Sequence, residues 1–144
     1  MIYYIPGAKD TKKDSMPLLR VLKGVKFLPL YIDDVYNLPK LSSEDTLIGF
    51  SYGAVTSYLL ALQNKEPLKH LVLCSLPPVV FHMKKPHAKK ISVLVGTKEG
   101  SEMVEYAKKL SKKWSCSLTC PSASHNMTTK TYVDAVLKIL QRGV

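Results

Sequence analysis

The chain has 144 residues, 46% of them hydrophobic, enough to bury a core of its own and too few for two full domains. Lys and Arg number 21 against 11 Asp and Glu, a formal charge of +10 that draws in anionic surfaces without specifying an activity. No apolar run approaches the ~20 residues of a membrane span, and the start at Met1 has neither the basic region nor the apolar stretch of a secretory signal, so residues 1–144 read as one cytoplasmic domain without a membrane partner.

Residues 2–5 are a short apolar run and predict a first strand, followed by the turn Pro6-Gly7-Ala8. Over residues 16–23, Leu18, Leu19 and Leu22 share a helical face, with Ser15 at the N-cap and Gly24 just past the end. Residues 27–32 and 46–50 predict the second and third strands, and residues 53–63 are apolar almost all round, as a helix buried against a sheet should be. A fourth strand over 70–74 leads into a long connection, 76–90, containing Pro77, Pro78 and Pro86 and the pairs Lys84-Lys85 and Lys89-Lys90. A fifth strand over 91–95 precedes a helix over 101–114, where Met103, Ala107, Leu110 and Trp114 share a face and Glu105 pairs with Lys109. Residues 116–120 predict the sixth strand and residues 131–141 a last helix, with Val133, Val136, Leu137 and Leu140 on its inner face.

Near-continuous apolar strands alternating with helices call for an α/β fold: three layers, α/β/α, around a mostly parallel six-stranded sheet. In such sheets ligands bind beyond the carboxyl ends of the strands, where the winding direction reverses. Cys74, Cys116 and Cys120 are an odd set and read as reduced thiols. On one strand, Cys116 and Cys120 would lie about 13 Å apart, too far for a shared bridge or zinc, so no metal site is expected.

The third strand closes, and the most apolar helix opens, on Gly49-Phe50-Ser51-Tyr52-Gly53. In that setting the pentapeptide reads as a nucleophile elbow, a tight turn lifting the Ser51 hydroxyl above the sheet; the other reading is an ordinary turn.

On these residues the chain resembles a minimal α/β-hydrolase from about residue 2 to residue 140, without the family's first two strands and without a cap. The resemblance implies that the first and third strands are neighbours, with the second outside the first and the winding reversal beside Ser51. It implies two oxyanion donors, the backbone N–H of Tyr52 and that of Ala8, where the family's His-Gly-X reads Pro6-Gly7-Ala8. His125, in Ser124-His125-Asn126-Met127 after the last strand, takes the place of the general base; His70, His82 and His87 lie elsewhere. Glu99, in Gly96-Thr97-Lys98-Glu99, takes the place of the acid, with Glu102 in reserve and Asp33 or Asp34 further removed. Phe50, Tyr52, Phe81 and Met83 are candidates to line a shallow pocket, or to pack.

The implied function is a serine hydrolase cleaving a small ester or thioester through a Ser51-His125-Glu99 triad and an acyl-enzyme, with no metal or organic cofactor. The alternative is a catalytically silent binding module of the same fold, favoured by the Pro6 and Glu99 departures. Nucleic-acid binding rests on charge alone and is not expected, for no recognition motif accompanies it.

Overall fold

Residues 46–50 and 70–74 are buried at every position, which two adjacent strands achieve only at the centre of a sheet covered on both faces. A computed structural model describes residues 1–8, 10–22, 24–29, 40–79 and 84–142. Its strands are β1 (Ile2–Ile5), β2 (Val25–Phe27), β3 (Thr46–Phe50), β4 (His70–Cys74), β5 (Ile91–Leu94) and β6 (Ser117–Thr119). They form one sheet in the order β2-β1-β3-β4-β5-β6, and every pairing is parallel. The helices are α1 (Met16–Val21), α2 (Tyr52–Gln63), α3 (Ser101–Trp114) and α4 (Lys130–Arg142).

Successive strand side chains point to opposite faces, so each central strand feeds two cores. Leu47, Leu71, Leu73 and Val93 pack with Ala54 and Tyr58 of α2 and Leu110 and Trp114 of α3. Ile48, Val72, Cys74 and Leu94 pack with Leu18 of α1 and Tyr132 and Val136 of α4. Full burial of a large apolar side chain contributes roughly 1.5–3 kcal/mol. Across the first core, Tyr58 stacks on Trp114 with ring centres 5.6 Å apart and planes 10° from parallel.

The chain passes from β1 outward to β2, then crosses to the other side of β1 for β3 and continues outward to β6. The winding therefore reverses between β1 and β3, whose carboxyl ends carry Pro6-Gly7 and Phe50-Ser51. The first and third strands are thus neighbours with the second outside the first, as the family resemblance implied.

Local details differ from expectation. Ser15 precedes α1 but makes no side-chain cap; its hydroxyl donates to Thr11 O (3.3 Å), while Asp14 caps the turn before it through Thr11 N–H and Oγ1 (2.8 and 2.9 Å). α1 closes at Val21, and Gly24 takes φ +78°. β2 begins two residues early, at Val25, in register with Ile2; residues 30–32 of the expected strand lie outside the described residues. Glu105 pairs with Lys108 (3.4 Å), one position short of Lys109. Among the described residues, no helix is long and apolar enough to cross a membrane.

Candidate active site

Ser51 joins β3 to α2 with φ 58° and ψ −122°, a conformation that costs a non-glycine residue about 1–3 kcal/mol. Neighbouring backbone holds it there: Ser51 N–H donates to Cys74 O (2.9 Å), and Ala54 N–H donates to Ser51 O (2.9 Å). The flanking glycines remove obstacles on two sides. A Cβ at Gly49 would strike Gly53 O and Ser57 Oγ, and one at Gly53 would strike the carbonyl oxygens of Ile5 and Pro6. α2 therefore starts directly over β3 and the end of β1, with Ser51 at the turn.

The structure brings Ser51, His125 and Glu99 into one hydrogen-bonded chain. His125 Nε2 lies 3.0 Å from Ser51 Oγ, and His125 Nδ1 lies 2.5 Å from Glu99 Oε1. An ionised carboxylate only accepts, so Nδ1 carries a proton and the neutral ring presents Nε2 to Ser51 as an acceptor. Phe50 supports the imidazole, its ring centre 5.0 Å away, and meets Tyr132 edge-on at 5.5 Å.

The loops bearing Glu99 and His125 are laced together. Thr97 N–H donates to Pro121 O (2.9 Å) and Lys98 N–H to Ala123 O (3.0 Å). Gly96 admits this approach because any Cβ would strike Ala123 O. Beyond His125, Thr128 N–H and Oγ1 donate to Asn126 Oδ1 (2.9 and 2.5 Å) and close the loop.

The Glu99 side chain is 1% exposed, while that of His125 is 44% exposed. Burial pushes the Glu99 carboxyl up, but hydrogen bonds with His125, Ser75 and Gly96 N–H, together with the His125 charge, outweigh it and hold the group below its ordinary value. The Ser75 hydroxyl (2.7 Å) and Gly96 N–H (2.5 Å) both donate to Oε2.

A pocket of about 320 Å³ opens beside Ser51, lined by Tyr4, Ala8, Tyr52, Met127 and the two acids Asp10 and Asp14. Ala8 follows Gly7, where a Cβ would strike Asp10 Oδ2 and touch the Ser51 side chain and the Phe50 ring. Tyr52 opens α2, in the first turn, where N–H groups lack intrahelical partners and favour negative charge. Its side chain is among the exposed large apolar groups.

Of the expected residues, Ser51, His125, Glu99, Tyr52, Ala8 and Phe50 thus gather at one end of the sheet. Phe81, Met83, His82, Asp33 and Asp34 lie outside the described residues. His70 is buried at the start of β4 with Nε2 2.7 Å from Ser92 Oγ; burial, then the charges of Lys90 and Lys69, lowers its pKa to about 4. Glu102 is exposed in the first turn of α3. Burial, and to a lesser degree the Glu99 charge, pushes the Cys74 thiol up to about 12, and burial raises Cys116 and Cys120 as well, so none of the three is poised as a thiolate. Sequence reasoning missed Ser75 and Tyr132. Ser75 follows a fully buried strand at the end where sites gather, which was a usable signal; Tyr132 reads only as helix core.

No protein-family model matches the sequence, and no curated protein matches it. Solved structures do share its fold. The esterase PE8 aligns at a TM-score of 0.72 and 13% identity, covering 99% of this chain and 92% of that one. Arabidopsis thaliana SOBER1 aligns at 0.69 and 11% identity over 99% and 97% of the two chains. The Bacillus cereus carboxylesterase aligns at 0.62 and 16% identity over 100% and 88%. The fold is that of the α/β-hydrolases.

Proposed function

We propose that this protein is a serine hydrolase, an esterase or thioesterase acting on a small acyl substrate. The reading is carried by the Ser51–His125–Glu99 hydrogen-bonded chain on a strained strand-to-helix turn beside a pocket. The esterases that share its fold lend it support.

Ser51 Oγ attacks the acyl carbonyl carbon while His125 Nε2 takes its proton, and Glu99 stabilises the resulting imidazolium. The carbonyl oxygen becomes an oxyanion, for which the Tyr52 and Ala8 N–H groups are the donors. Each well-aimed donor of this kind stabilises the transition state by about 2.7–4 kcal/mol. Collapse breaks the bond to the alcohol or thiol, which leaves with the proton from His125, and an acyl-Ser51 ester remains. Water, deprotonated by His125, then attacks that ester and releases the carboxylic acid with Ser51 restored. The balance closes with water as the second substrate and calls on no cofactor. At about 320 Å³ the pocket is at the small end for ligand sites, which favours short acyl groups.

A fluorophosphonate probe tests the reading by mass spectrometry. The parent should label stoichiometrically, and Ser51→Ala and His125→Ala should not. A folded parent that stays unlabelled and turns over no short-chain ester removes the hydrolase reading and leaves the silent binding module.

A further inference from the structure

Glu99 is one methylene longer than aspartate and carries an extra rotatable bond, so a buried site must lock it more firmly to aim Oε1 at His125. Two residues outside its own loop do so. Ser75 follows β4, is fully buried, and places Oγ 2.7 Å from Glu99 Oε2 and 2.6 Å from the hydroxyl of Tyr132, itself fully buried on α4. The hydrogens can be ordered in only one way. The carboxylate accepts only, so the single Ser75 proton goes to Oε2, and Ser75 Oγ must then accept from Tyr132 O–H.

The backbone at Ser75 makes the hydroxyl conspicuous. Its φ is +52°, in the left-handed region that suits glycine, and its N–H donates to Leu94 O (2.7 Å). A turn needing only that conformation is best served by glycine; serine here adds a buried hydroxyl aimed at the acid.

We propose that Ser75 and Tyr132 are positioning residues: a one-way chain, Tyr132 O–H to Ser75 O–H to Glu99 Oε2, holds the carboxylate with Oε1 turned to His125. Its catalytic meaning rests on the hydrolase reading; the geometry it maintains does not. Among the described residues, the titratable groups facing Glu99 are His125, Tyr132 of α4 and Cys74 of β4. Burial, the largest cause at each, keeps the Tyr132 phenol and the Cys74 thiol neutral near pH 7. Removing a donor from the carboxylate raises the proton affinity of the hydrogen-bonded Glu99–His125 pair, whichever member holds the proton.

The test uses Ser75→Gly, which suits φ +52° and deletes the hydroxyl, and Tyr132→Phe, which keeps the ring in the core. The first readout is the ¹⁵N titration of His125, assigned by its loss in His125→Gln. Both variants should move the midpoint to higher pH, Ser75→Gly by about one unit and Tyr132→Phe by less. The second readout is turnover: Ser75→Gly should lower kcat roughly 10- to 100-fold with little change in KM and shift the acid limb of kcat/KM upward. Unmoved His125 midpoints in the folded variants overturn the proposal whether or not the protein turns over. A moved midpoint in a protein that neither labels nor turns over upholds the chain and removes only the hydrolase reading. Should Ser75→Gly fail to fold, Tyr132→Phe decides by the same two readouts.

Discussion

Glu99→Gln replaces a group with two acceptor oxygens by one that has an oxygen at one end and an NH₂ at the other. Oε2 receives Gly96 N–H at 2.5 Å and the Ser75 hydroxyl at 2.7 Å. The Gly96 donor belongs to the backbone and cannot reverse. Turning the NH₂ toward it would set donor against donor in a buried site, at about 1–3 kcal/mol for each group left unsatisfied. The amide oxygen therefore takes the Oε2 position, and the NH₂ faces His125 Nδ1. Nδ1 must then accept, which moves the imidazole proton to Nε2, the atom 3.0 Å from Ser51 Oγ. On the proposed hydrolase reading, a protonated Nε2 cannot receive the Ser51 proton. Holding the base in the wrong tautomer costs on the order of 10⁴-fold in kcat, about 5 kcal/mol of barrier. Glu99→Ala leaves Nδ1 free to keep its proton, so the near-isosteric glutamine variant should be at least as damaging as alanine. Steady-state kinetics on a chromogenic short-chain ester, with ¹⁵N shifts reporting the His125 tautomer, check both statements. A glutamine variant within tenfold of the parent, or clearly faster than the alanine variant, refutes the reasoning.

His70 links acidification to stability far from the site. Its folded pKa is about 4 against an ordinary 6.5, so the unfolded chain takes up the proton first; stability is full above pH 6.5 and is lost as pH falls toward 4, by about 3 kcal/mol. Urea unfolding at pH 7 and pH 4.5 should show most of that loss in the parent and little of it in His70→Gln; equal slopes would remove His70 as the cause. The Glu99 carboxyl is held below its ordinary value, so its contribution runs the same way, present above the carboxylate range and lost on further acidification. Gly53→Ala drives a Cβ into the carbonyls of Ile5 and Pro6, backbone atoms that cannot yield without moving β1, and should destabilise the protein by about 2 kcal/mol or more. A Gly53→Ala denaturation midpoint equal to the parent's would contradict that contact.

The layered α/β architecture and the strand-to-helix turn at Ser51 were legible in the residues because both are local patterns. Burial on two faces writes itself as unbroken apolar runs at 46–50 and 70–74, and two glycines flanking a serine mark a turn without room for side chains. The chain order Ser51, Glu99, His125, read through a family resemblance, also pointed to three loops that the parallel sheet brings to one end. Local signals were weaker at the edges: Ser15 precedes α1 without capping it because its hydroxyl turns back to Thr11 O, and Glu105 reaches Lys108 rather than Lys109. What grips the Glu99 carboxylate was legible only as far as the place of Ser75 after a fully buried strand. Ser75 and Tyr132 lie 57 positions apart, on a loop after β4 and on α4, and neither carries a pattern naming the other. Only the parallel order β3-β4-β5 and the packing of α4 on that face bring the Ser75 hydroxyl to the carboxylate and the Tyr132 hydroxyl to Ser75. Periodicity records which way a side chain faces along its own element; the meeting of loop residues from separate elements is set by strand order and crossover geometry, and so belongs to the tertiary structure.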